Sequence, residues 1–274
     1  MHIARTLAQL RAARAGLAGP LALVPTMGAL HDGHLSLLRA ARTSGGTVAA
    51  SIFVNPIQFG PDEDFARYPR DTEADCAMLE AAGCDLVWLP TVETMYPPDE
   101  ATMIDVAGPA LLWEGTARPG HFRGVATVVA KLFGQVGPDE AYFGEKDWQQ
   151  VQVIRRMVAD LLLPVAIIAS PTWRDADGLA MSSRNRYLAP EDRTRAPTLF
   201  ATLCRTRDAL QAGAAVEATL ATGRESLARA GFAVDYLALV APESLAPLDT
   251  LAGAARLIAA AQLGSTRLLD NIAV

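Results

Sequence analysis

Cysteine, aromatic residues and basic charge are all sparse in this 274-residue sequence. The three cysteines, Cys76, Cys84 and Cys204, form no C-x-x-C pair and cannot close a disulfide framework, which predicts a reducing, cytoplasmic setting. Lys and Arg number 24 against 30 Asp and Glu, so the formal net charge is −6. Because neutralising phosphate backbones needs clustered basic residues, this balance argues against a nucleic-acid partner.

Long apolar runs are also missing. No stretch approaches the roughly 20 uninterrupted apolar residues that a membrane span requires, so we expect no membrane association. Three arginines do precede an apolar stretch at residues 15–24, an order that secretory signals share. Gly16, Gly19 and Pro20 interrupt that stretch and no small-residue cleavage site follows, so we expect no export signal.

The sequence is 51% hydrophobic and 20% charged, which suffices for one large or two modest folded domains. Short Val-, Ile- and Leu-rich runs alternate with amphipathic stretches through the first two-thirds of the chain. The runs predict strands at residues 21–24, 47–54, 85–89, 141–143 and 165–168, and the stretches predict helices at 35–42, 72–82, 125–136 and 147–161. This alternation indicates βαβ units and a parallel sheet that is covered on both faces.

The pattern changes beyond about residue 172. Two alanine-rich helices and then two strands are predicted, at about 197–212, 216–230, 234–240 and 256–263. This order indicates a smaller α+β unit with an antiparallel pair of strands. We therefore expect a first domain over residues 1–172 and a second over residues 173–274.

Polar segments directly follow three of the predicted strands, at residues 25–34, 55–59 and 144–147. In an open parallel sheet, ligands bind beyond the carboxyl ends of the strands. Several polar segments at such ends therefore predict a binding site at this edge of the sheet.

The segment from Thr26 to His34 carries the strongest signal. Gly28 and Gly33 allow backbone conformations and close approaches that a Cβ would block. The helix that follows offers unpaired N–H groups at its N-terminus, which suit a phosphate. His31 and His34 are three residues apart, so both imidazoles can point the same way and donate hydrogen bonds to phosphate oxygens.

Two other roles are open to these histidines, a structural role and a zinc site. A lone histidine more often satisfies buried backbone or is solvated, but two histidines with two glycines at a strand–helix junction favour a functional site. A catalytic zinc ion normally takes three protein ligands, and no cysteine or third histidine follows at ligand spacing. The segment is neither a P-loop nor a G-x-G-x-x-G fingerprint, and the chain contains no credible Ser–His–Asp triad.

Four segments carry a more specific signature. They read Met-Gly-Ala-Leu-His-Asp-Gly-His from Met27, Phe-Val-Asn-Pro-Ile-Gln-Phe from Phe53, Phe-Gly-Glu-Lys-Asp-Trp-Gln-Gln from Phe143 and Asp-Gly-Leu-Ala-Met-Ser-Ser-Arg-Asn from Asp177. The first contains a segment similar to the H-x-G-H signature of the HIGH nucleotidyltransferase superfamily, and the last resembles that superfamily's second, mobile element. In this order, over nearly the whole chain, the four segments resemble the pantoate–β-alanine ligase family.

The resemblance implies an α/β fold with a Rossmann-like, doubly wound parallel sheet and a C-terminal α+β lid domain. It also implies a two-step reaction on one site. The carboxylate of pantoate attacks the α-phosphate of ATP and yields pantoyl adenylate and pyrophosphate. The amine of β-alanine then attacks the activated acyl carbon, which releases AMP and forms pantothenate. Mg²⁺ on the ATP phosphates, ligated mainly by phosphate and water, and a cytoplasmic homodimer are further family expectations.

The resemblance also assigns residues to ligands. Catalytic roles fall to His34, the proton donor by this resemblance, to His31, which would contact phosphate beside it, and to Lys146, whose ammonium would lie on the phosphates. On physical grounds we expect both histidines to act mainly as hydrogen-bond donors to the developing pyrophosphate. Gln58 and Gln150 would bind pantoate, because a neutral amide can both donate to a carboxylate and accept from a hydroxyl group, and Gln58 would also place β-alanine. The residues implied in ATP binding are Met27, Gly28, Ala29, Leu30, His31, Asp32, Gly33, His34, Gly144, Glu145, Lys146, Asp147, Trp173, Met181, Ser182, Ser183 and Arg184.

Three further expectations concern the surroundings of these residues. Neighbouring helical side chains project about 100° apart, so Gln149 and Gln150 are not expected to face the same pocket. Trp173 departs from the family, which commonly has a small aliphatic residue there, and its side chain would reshape the adenine pocket if it packs on the nucleotide. The Gly- and Pro-containing segment 114–124 also resembles the family and is expected to cover the pocket.

Three rival functions fit the sequence less well. Another HIGH-superfamily transferase, acting on a phosphorylated alcohol, would favour Arg or Lys where Gln58 and Gln150 stand. A tRNA-charging fragment would need a basic face. A regulatory module would bind ATP without forming AMP, and it would leave the glutamines and the Met-Ser-Ser-Arg run unexplained.

Overall fold

The computed structural model describes residues 1–61 and 63–274, and this part of the chain divides into two compact units. Unit 1 comprises Met1–Gly144 and Gln149–Pro171. Unit 2 comprises Glu145–Trp148 and Thr172–Val274. No helix in the described residues is long and apolar enough to cross a membrane.

Unit 1 is built around a six-stranded parallel sheet. Its strands are β1 (His2–Ala4), β2 (Leu21–Thr26), β3 (Thr47–Ile52), β4 (Leu86–Trp88), β5 (Glu140–Gly144) and β6 (Ala166–Ser170). The strand order is β1-β4-β3-β2-β5-β6, and all neighbouring strands are parallel. The direction of winding reverses between β2 and β5, which is the switch point where open α/β sheets bind ligands. The predicted Rossmann-like, doubly wound sheet is therefore confirmed.

Helices cover both faces of this sheet. They are α1 (Leu7–Ala15), α2 (Asp32–Thr43), α3 (Thr72–Ala81), α4 (Val92–Met95), α5 (Glu114–Ala117), α6 (His121–Val136) and α7 (Trp148–Asp160). Because side chains alternate along a strand, Leu21 and Leu23 share one core with residues of α1, α6 and α7. Ala22 and Val24 share the opposite core with residues of α2 and α3. Burial on both faces explains why the strands are continuous apolar runs in the sequence.

Unit 2 contains a three-stranded antiparallel sheet and three helices. They are α8 (Pro190–Arg195), α9 (Thr198–Gln211), α10 (Val216–Arg229), β7 (Ala233–Val240), β8 (Arg256–Leu263) and β9 (Thr266–Ala273). Leu203 of α9 and Leu227 of α10 share a core with Leu257 of β8. A Cβ on Gly223 would lie 2.5 Å from the Leu237 side chain, so this glycine lets α10 lie close to β7.

The structure differs from the predicted elements at several places, and the short helices α4, α5 and α8 are among the elements that were not predicted. The edge strand β1 was not predicted, because three residues are too few for a periodic pattern, and α1, in which only Leu10 is buried, was not predicted either. The helix α6 begins at His121, four residues before the first position of its predicted apolar stripe. The strand β9 turns the predicted antiparallel pair into a three-stranded sheet, and its polar residues Asp270 and Asn271 hide it in an apolar scan.

The compact units also differ from the predicted division of the chain. The predicted boundary assigns Glu145–Trp148 to the first domain, whereas these residues pack with the C-terminal residues in unit 2. The physical reason is a set of polar contacts from Arg256 and Asn271, which hold this short segment. The boundary after residue 172 itself stays a prediction.

Candidate active site

A buried carboxylate holds the loop that follows β2. Asp75 of α3 is 4% exposed and accepts the N–H groups of Ala29 and Leu30, each at 2.8 Å. Gly28 has a φ of +79°, and a Cβ there would lie 2.8 Å from Oδ2 of Asp75, so the predicted need for glycine is confirmed at this position. Ala29 also has a positive φ, 51°, a strained conformation that the hydrogen bond to Asp75 helps to hold.

The two histidines of the motif lie together at the start of α2. Nδ1 of His31 accepts the N–H of Gly33 at 3.2 Å and so caps the helix. Because Nδ1 accepts, the neutral ring carries its proton on Nε2. The ring centroids of His31 and His34 are 4.1 Å apart. From the sequence, the first N–H groups of this helix are predicted to be unpaired and to suit a phosphate; this is wrong for Gly33, whose N–H is used by the cap.

Gln58 lies in the 3-10 turn Pro56–Gln58, close to the loop after β2. Gln58 is 9% exposed, and its Nε2 is 3.0 Å from Sδ of Met27. The turn approaches α6 closely at Gly124, where a Cβ would be 2.7 Å from Cα of Gln58. Unit 1 therefore brings a predicted pantoate residue against a predicted ATP residue.

Hydrogen-bond partners fix the orientation of the Gln58 amide. Nδ2 of Asn55 donates to the carbonyl of Gly124 at 3.1 Å and to Oε1 of Gln58 at 3.0 Å. A backbone carbonyl can only accept, so this contact decides which atom of the Asn55 amide is the nitrogen. The hydroxyl of Tyr96 then donates to Oδ1 of Asn55 at 2.6 Å. Burial raises the pKa of the Tyr96 phenol, so this donor keeps its proton. The chain of contacts leaves Nε2 as the donor end of Gln58.

His121 supports the backbone of the same turn. Nδ1 of His121 lies 2.9 Å from the carbonyl oxygen of Gln58, and Nε2 lies 3.0 Å from Nη1 of Arg118. Burial and the Arg118 guanidinium lower the pKa of His121 to about 4. The ring is thus neutral near pH 7, donating through Nδ1 and accepting through Nε2. Arg118 in turn pairs with Glu63 through two contacts of 2.7 Å.

Gln149 and Gln150 have different surroundings, in agreement with helix geometry. Gln149 is 8% exposed; its Nε2 donates to the carbonyls of Pro109 and Leu112, and its Oε1 accepts the N–H of Glu114. These bonds tie Gln149 to the backbone of the 109–114 segment. Gln150 is only partly buried, which leaves it the more accessible of the two amides.

Lys146 lies in unit 2, in the 3-10 turn Glu145–Asp147 that follows β5. Its side chain is 17% exposed, and Nζ lies 3.5 Å from Oδ1 of Asp147. The backbone carbonyls of Glu145 and Lys146 accept hydrogen bonds from Nδ2 of Asn271, at 2.9 and 2.8 Å. The position of the lysine is therefore set by β9.

The Met181–Arg184 segment is also part of unit 2, and it directly follows a short hairpin. Arg174 and Ala180 form an antiparallel bridge, and the N–H of Met181 donates to the carbonyl of Trp173 at 3.0 Å. Ser182 caps the 3-10 turn Ser183–Tyr187 by accepting the N–H of Arg184 at 3.3 Å. Trp173 is 45% exposed and contributes its main chain to the hairpin, and an effect of its side chain on the nucleotide stays a prediction.

Comparisons with known proteins agree along the whole chain. The sequence model of the family described as pantoate-beta-alanine ligase matches residues 2–273. The chain belongs to the pantoate–β-alanine ligase family. A pantothenate synthetase of Acidiphilium cryptum is 65% identical over 278 residues, which cover 100% of both chains. As a member of this family, the protein is an enzyme that ligates pantoate and β-alanine.

Solved structures of pantoate–β-alanine ligases share this fold. A crystal structure of pantothenate synthetase from Thermus thermophilus has a TM-score of 0.95 at 51% identity and covers 99% of each chain. A pantoate–β-alanine ligase from Francisella tularensis, crystallised with β,γ ATP and β-alanine, has a TM-score of 0.83 at 33% identity. The match covers 99% of this chain and 97% of that one.

In this pantoate–β-alanine ligase, each unit gathers part of the predicted site. Unit 1 holds Met27–His34, Gln58, Gly144 and Gln150, and it brings Met27 against Gln58 and His31 against His34. Unit 2 holds Glu145–Asp147, Trp173 and Met181–Arg184. The segment 114–124, expected to cover the pocket, forms α5 and the start of α6, and a covering role stays a prediction.

Sequence reasoning missed the residues that support the site. Asp75, Tyr96, Arg256 and Asn271 lie in ordinary helix, loop and strand patterns, and none stands next to a recognised motif. Their signal is burial of polar atoms, which must be satisfied by a partner distant in sequence. Of these four residues, only Asn271 has a local signal of burial in the sequence, because the Asp-Asn pair interrupts an apolar run.

Proposed function

We propose that this enzyme activates pantoate with ATP through a pantoyl-adenylate intermediate before β-alanine attacks. The main support for this proposal is the contact between Nε2 of Gln58 and Sδ of Met27, at 3.0 Å. Met27 belongs to the same loop as the His31–His34 pair at the start of α2. A carboxylate-binding amide and a phosphate-binding loop are the two groups that an adenylation needs side by side. The Francisella tularensis relative, crystallised with β,γ ATP and β-alanine, supports both of those ligands as substrates here.

In this mechanism Gln58 donates through Nε2 to the carboxylate of pantoate, and Gln150 binds its hydroxyl groups. The amide of Gln58 carries no net charge, so it orients the carboxylate without neutralising it and preserves its nucleophilicity. The carboxylate attacks the α-phosphorus, and the bond to the β,γ-diphosphate breaks with its electron pair going to pyrophosphate. Gln58 later places the amine of β-alanine for attack on the acyl carbon, and AMP leaves.

The residues proposed for the phosphates act by electrostatic stabilisation. His31 donates through Nε2, since its Nδ1 is occupied by Gly33, and His34 donates beside it. Lys146, Ser182, Ser183 and Arg184 supply an ammonium, two hydroxyls and a guanidinium to the charge that develops on pyrophosphate. The remaining proposed ATP-binding residues, Met27–Leu30, Asp32, Gly33, Gly144, Glu145, Asp147, Trp173 and Met181, would contribute backbone and packing contacts.

Mg²⁺ is proposed to accompany ATP. Within residues 1–61 and 63–274, no group of three His, Cys, Asp or Glu side chains is placed to hold a metal ion. We place the ion on phosphate oxygens and water, since Mg²⁺ keeps several waters in such sites. When bound, it would neutralise phosphate charge. A cytoplasmic homodimer is proposed from the family alone, and light scattering of the purified protein tests the dimer.

The testing experiment is pantoate-dependent exchange of labelled pyrophosphate into ATP, without β-alanine. Adenylate formation predicts exchange only when pantoate is present. If exchange is absent and AMP forms only with β-alanine, the ligase remains but a freely reversible adenylate is ruled out. Absence of both pyrophosphate exchange and AMP formation would contradict the proposed mechanism.

A further inference from the structure

Two adjacent polar residues lie buried in the last strand of unit 2. Asp270 and Asn271 of β9 are 3% and 5% exposed. Buried amides and carboxylates are costly unless their hydrogen bonds are made, so such a pair in a strand needs specific partners. Successive side chains of a strand point to opposite faces, and these two residues accordingly contact different segments.

Asn271 contacts the turn that carries Lys146. Nδ2 donates to the carbonyl oxygens of Glu145 and Lys146, at 2.9 and 2.8 Å, and Oδ1 accepts from Nη1 of Arg256. Carbonyls can only accept and a guanidinium can only donate, so both ends of the amide agree on its orientation. One side chain thus donates hydrogen bonds to two consecutive backbone carbonyls of the turn.

Arg256 closes the same arrangement from β8. Its Nη2 pairs with Oε2 of Glu145 at 3.0 Å, and its guanidinium lies 3.6 Å from the centroid of the Trp148 ring. The indole N–H of Trp148 donates to the carbonyl of Pro242 at 2.6 Å. The turn is therefore held at both ends by residues of the C-terminal sheet and its loops.

Asp270 contacts the hairpin that precedes the other predicted ATP segment. It accepts two hydrogen bonds from Arg174, at 2.6 and 2.8 Å, and Arg174 also donates to the carbonyl of Gly178. Arg174 belongs to the hairpin that leads directly into Met181. Neighbouring residues of one strand thus hold the Lys146 turn and the base of the Met181–Arg184 segment.

We infer that Asn271 is a positioning residue for Lys146: its amide fixes the turn from which the ammonium reaches the phosphates of ATP. The inference rests on the proposed role of Lys146. An ammonium on a flexible stem is placed by its backbone, so a shift of the turn displaces the charge. Displacement of about 1 Å at a reacting group can cost on the order of 100-fold in rate.

The substitution Asn271→Asp tests this with little change of shape. It keeps an acceptor for Arg256 but places a carboxylate oxygen where the amide donated to two carbonyls. We expect kcat/KM for ATP to fall by about 10–100-fold, while KM for pantoate changes by less than about twofold. The matched control is Asp235→Asn, which breaks an ion pair with Arg267 in the same sheet. Circular dichroism and thermal unfolding establish that each variant is folded.

A double mutant separates positioning of Lys146 from a general effect. If Asn271 acts through Lys146, Asn271→Asp lowers the exchange rate far less in a Lys146→Ala background than in the wild type. An equal loss in both backgrounds, or a loss no larger than that of Asp235→Asn, overturns the inference. Should Asn271→Asp fail to fold, Asn271→Ala, which introduces no charge, is measured in the same two backgrounds.

The two proposals fail in different ways. Absence of both exchange and AMP formation in the wild type would overturn the proposed function. Lys146→Ala with wild-type exchange would leave that function intact but remove Lys146 from the mechanism, and the positioning role of Asn271 with it. A defective Lys146→Ala beside an active, folded Asn271→Asp would leave the proposed function intact and overturn the positioning role alone.

Discussion

The turns that carry Gln58 and Lys146 are held in different ways. At Gln58 the side-chain amide that is proposed to bind pantoate is itself bonded, since Asn55 fixes Oε1 and leaves Nε2 as the donor. At Lys146 the bonded groups are backbone carbonyls. An amide has a donor end and an acceptor end, so it must be oriented to bind a carboxylate, whereas an ammonium donates in three directions and needs only to be located. The first site should thus respond to changes in hydrogen-bond polarity, and the second to shifts of the turn.

The largest effect is expected when a proposed phosphate donor is removed. Lys146→Ala or His34→Ala should lower the adenylation rate by roughly 10²–10³, the scale of losing one preorganised donor to developing charge. Pantoate-dependent pyrophosphate exchange measures this step. Lys131→Ala is not a suitable control because Lys131 pairs with Glu100 inside unit 1, so an exposed arginine, Arg229→Ala, serves instead. A folded variant with wild-type exchange would show that its residue is dispensable.

The features that could be predicted from the sequence are those that depend on neighbouring residues. Some candidate site residues stand in motifs that directly follow predicted strands, so their places at the ends of strands could be predicted from the sequence. These residues are Gly28, His31, His34, Gln58 and Lys146. The parallel sheet could be predicted because burial on both faces leaves continuous apolar runs.

The supporting residues could not be predicted, because their meaning depends on distant partners. Asp75 holds an amide 46 positions away, and Asn271 holds carbonyls 125 and 126 positions away. No periodicity or spacing encodes such pairs. Assigning Lys146 to unit 2 required these contacts, since chain order places the lysine directly after β5.

The next effect concerns pH and the backbone of the Gln58 turn. The pKa of His121 is lowered from 6.5 to about 4 in the folded protein. Between these values the unfolded chain binds more protons, so the free energy of unfolding should fall as pH decreases from about 6.5 to 4. The loss amounts to about 3 kcal/mol at most for this one group. Urea unfolding at several pH values measures it.

The matched variant is His121→Asn, whose Nδ2 can still donate to the carbonyl of Gln58 but which does not titrate. The pH dependence between 6.5 and 4 should become shallower in this variant than in the wild type. Equal slopes in the two proteins would mean that His121 is not the titrating group.

A smaller effect is expected at the loop after β2. Asp75→Asn replaces one of two acceptors with an NH₂ group that faces a backbone N–H, and should lower the free energy of unfolding by about 2 kcal/mol. The pantoate-dependent exchange rate should fall as well, because Ala29 and Leu30 precede His31 directly. Asp71→Asn on the same helix is the control: it is an N-cap, and Asn caps as well as Asp. Equal stabilities of the two variants would contradict the role given to Asp75.

The smallest effect tests hydrogen-bond polarity at Gln58. Tyr96→Phe removes the donor to Oδ1 of Asn55 at the far end of the chain of contacts, at a cost of about 1 kcal/mol. KM for pantoate should rise by roughly 3–10-fold, the equivalent of that energy, with KM for ATP nearly unchanged. Tyr142→Phe, which removes a hydroxyl bonded to Glu140 in the same unit, is the control. If KM for ATP rises as much as KM for pantoate, Tyr96 supports the fold of unit 1 in general and the orientation of Gln58 does not depend on it.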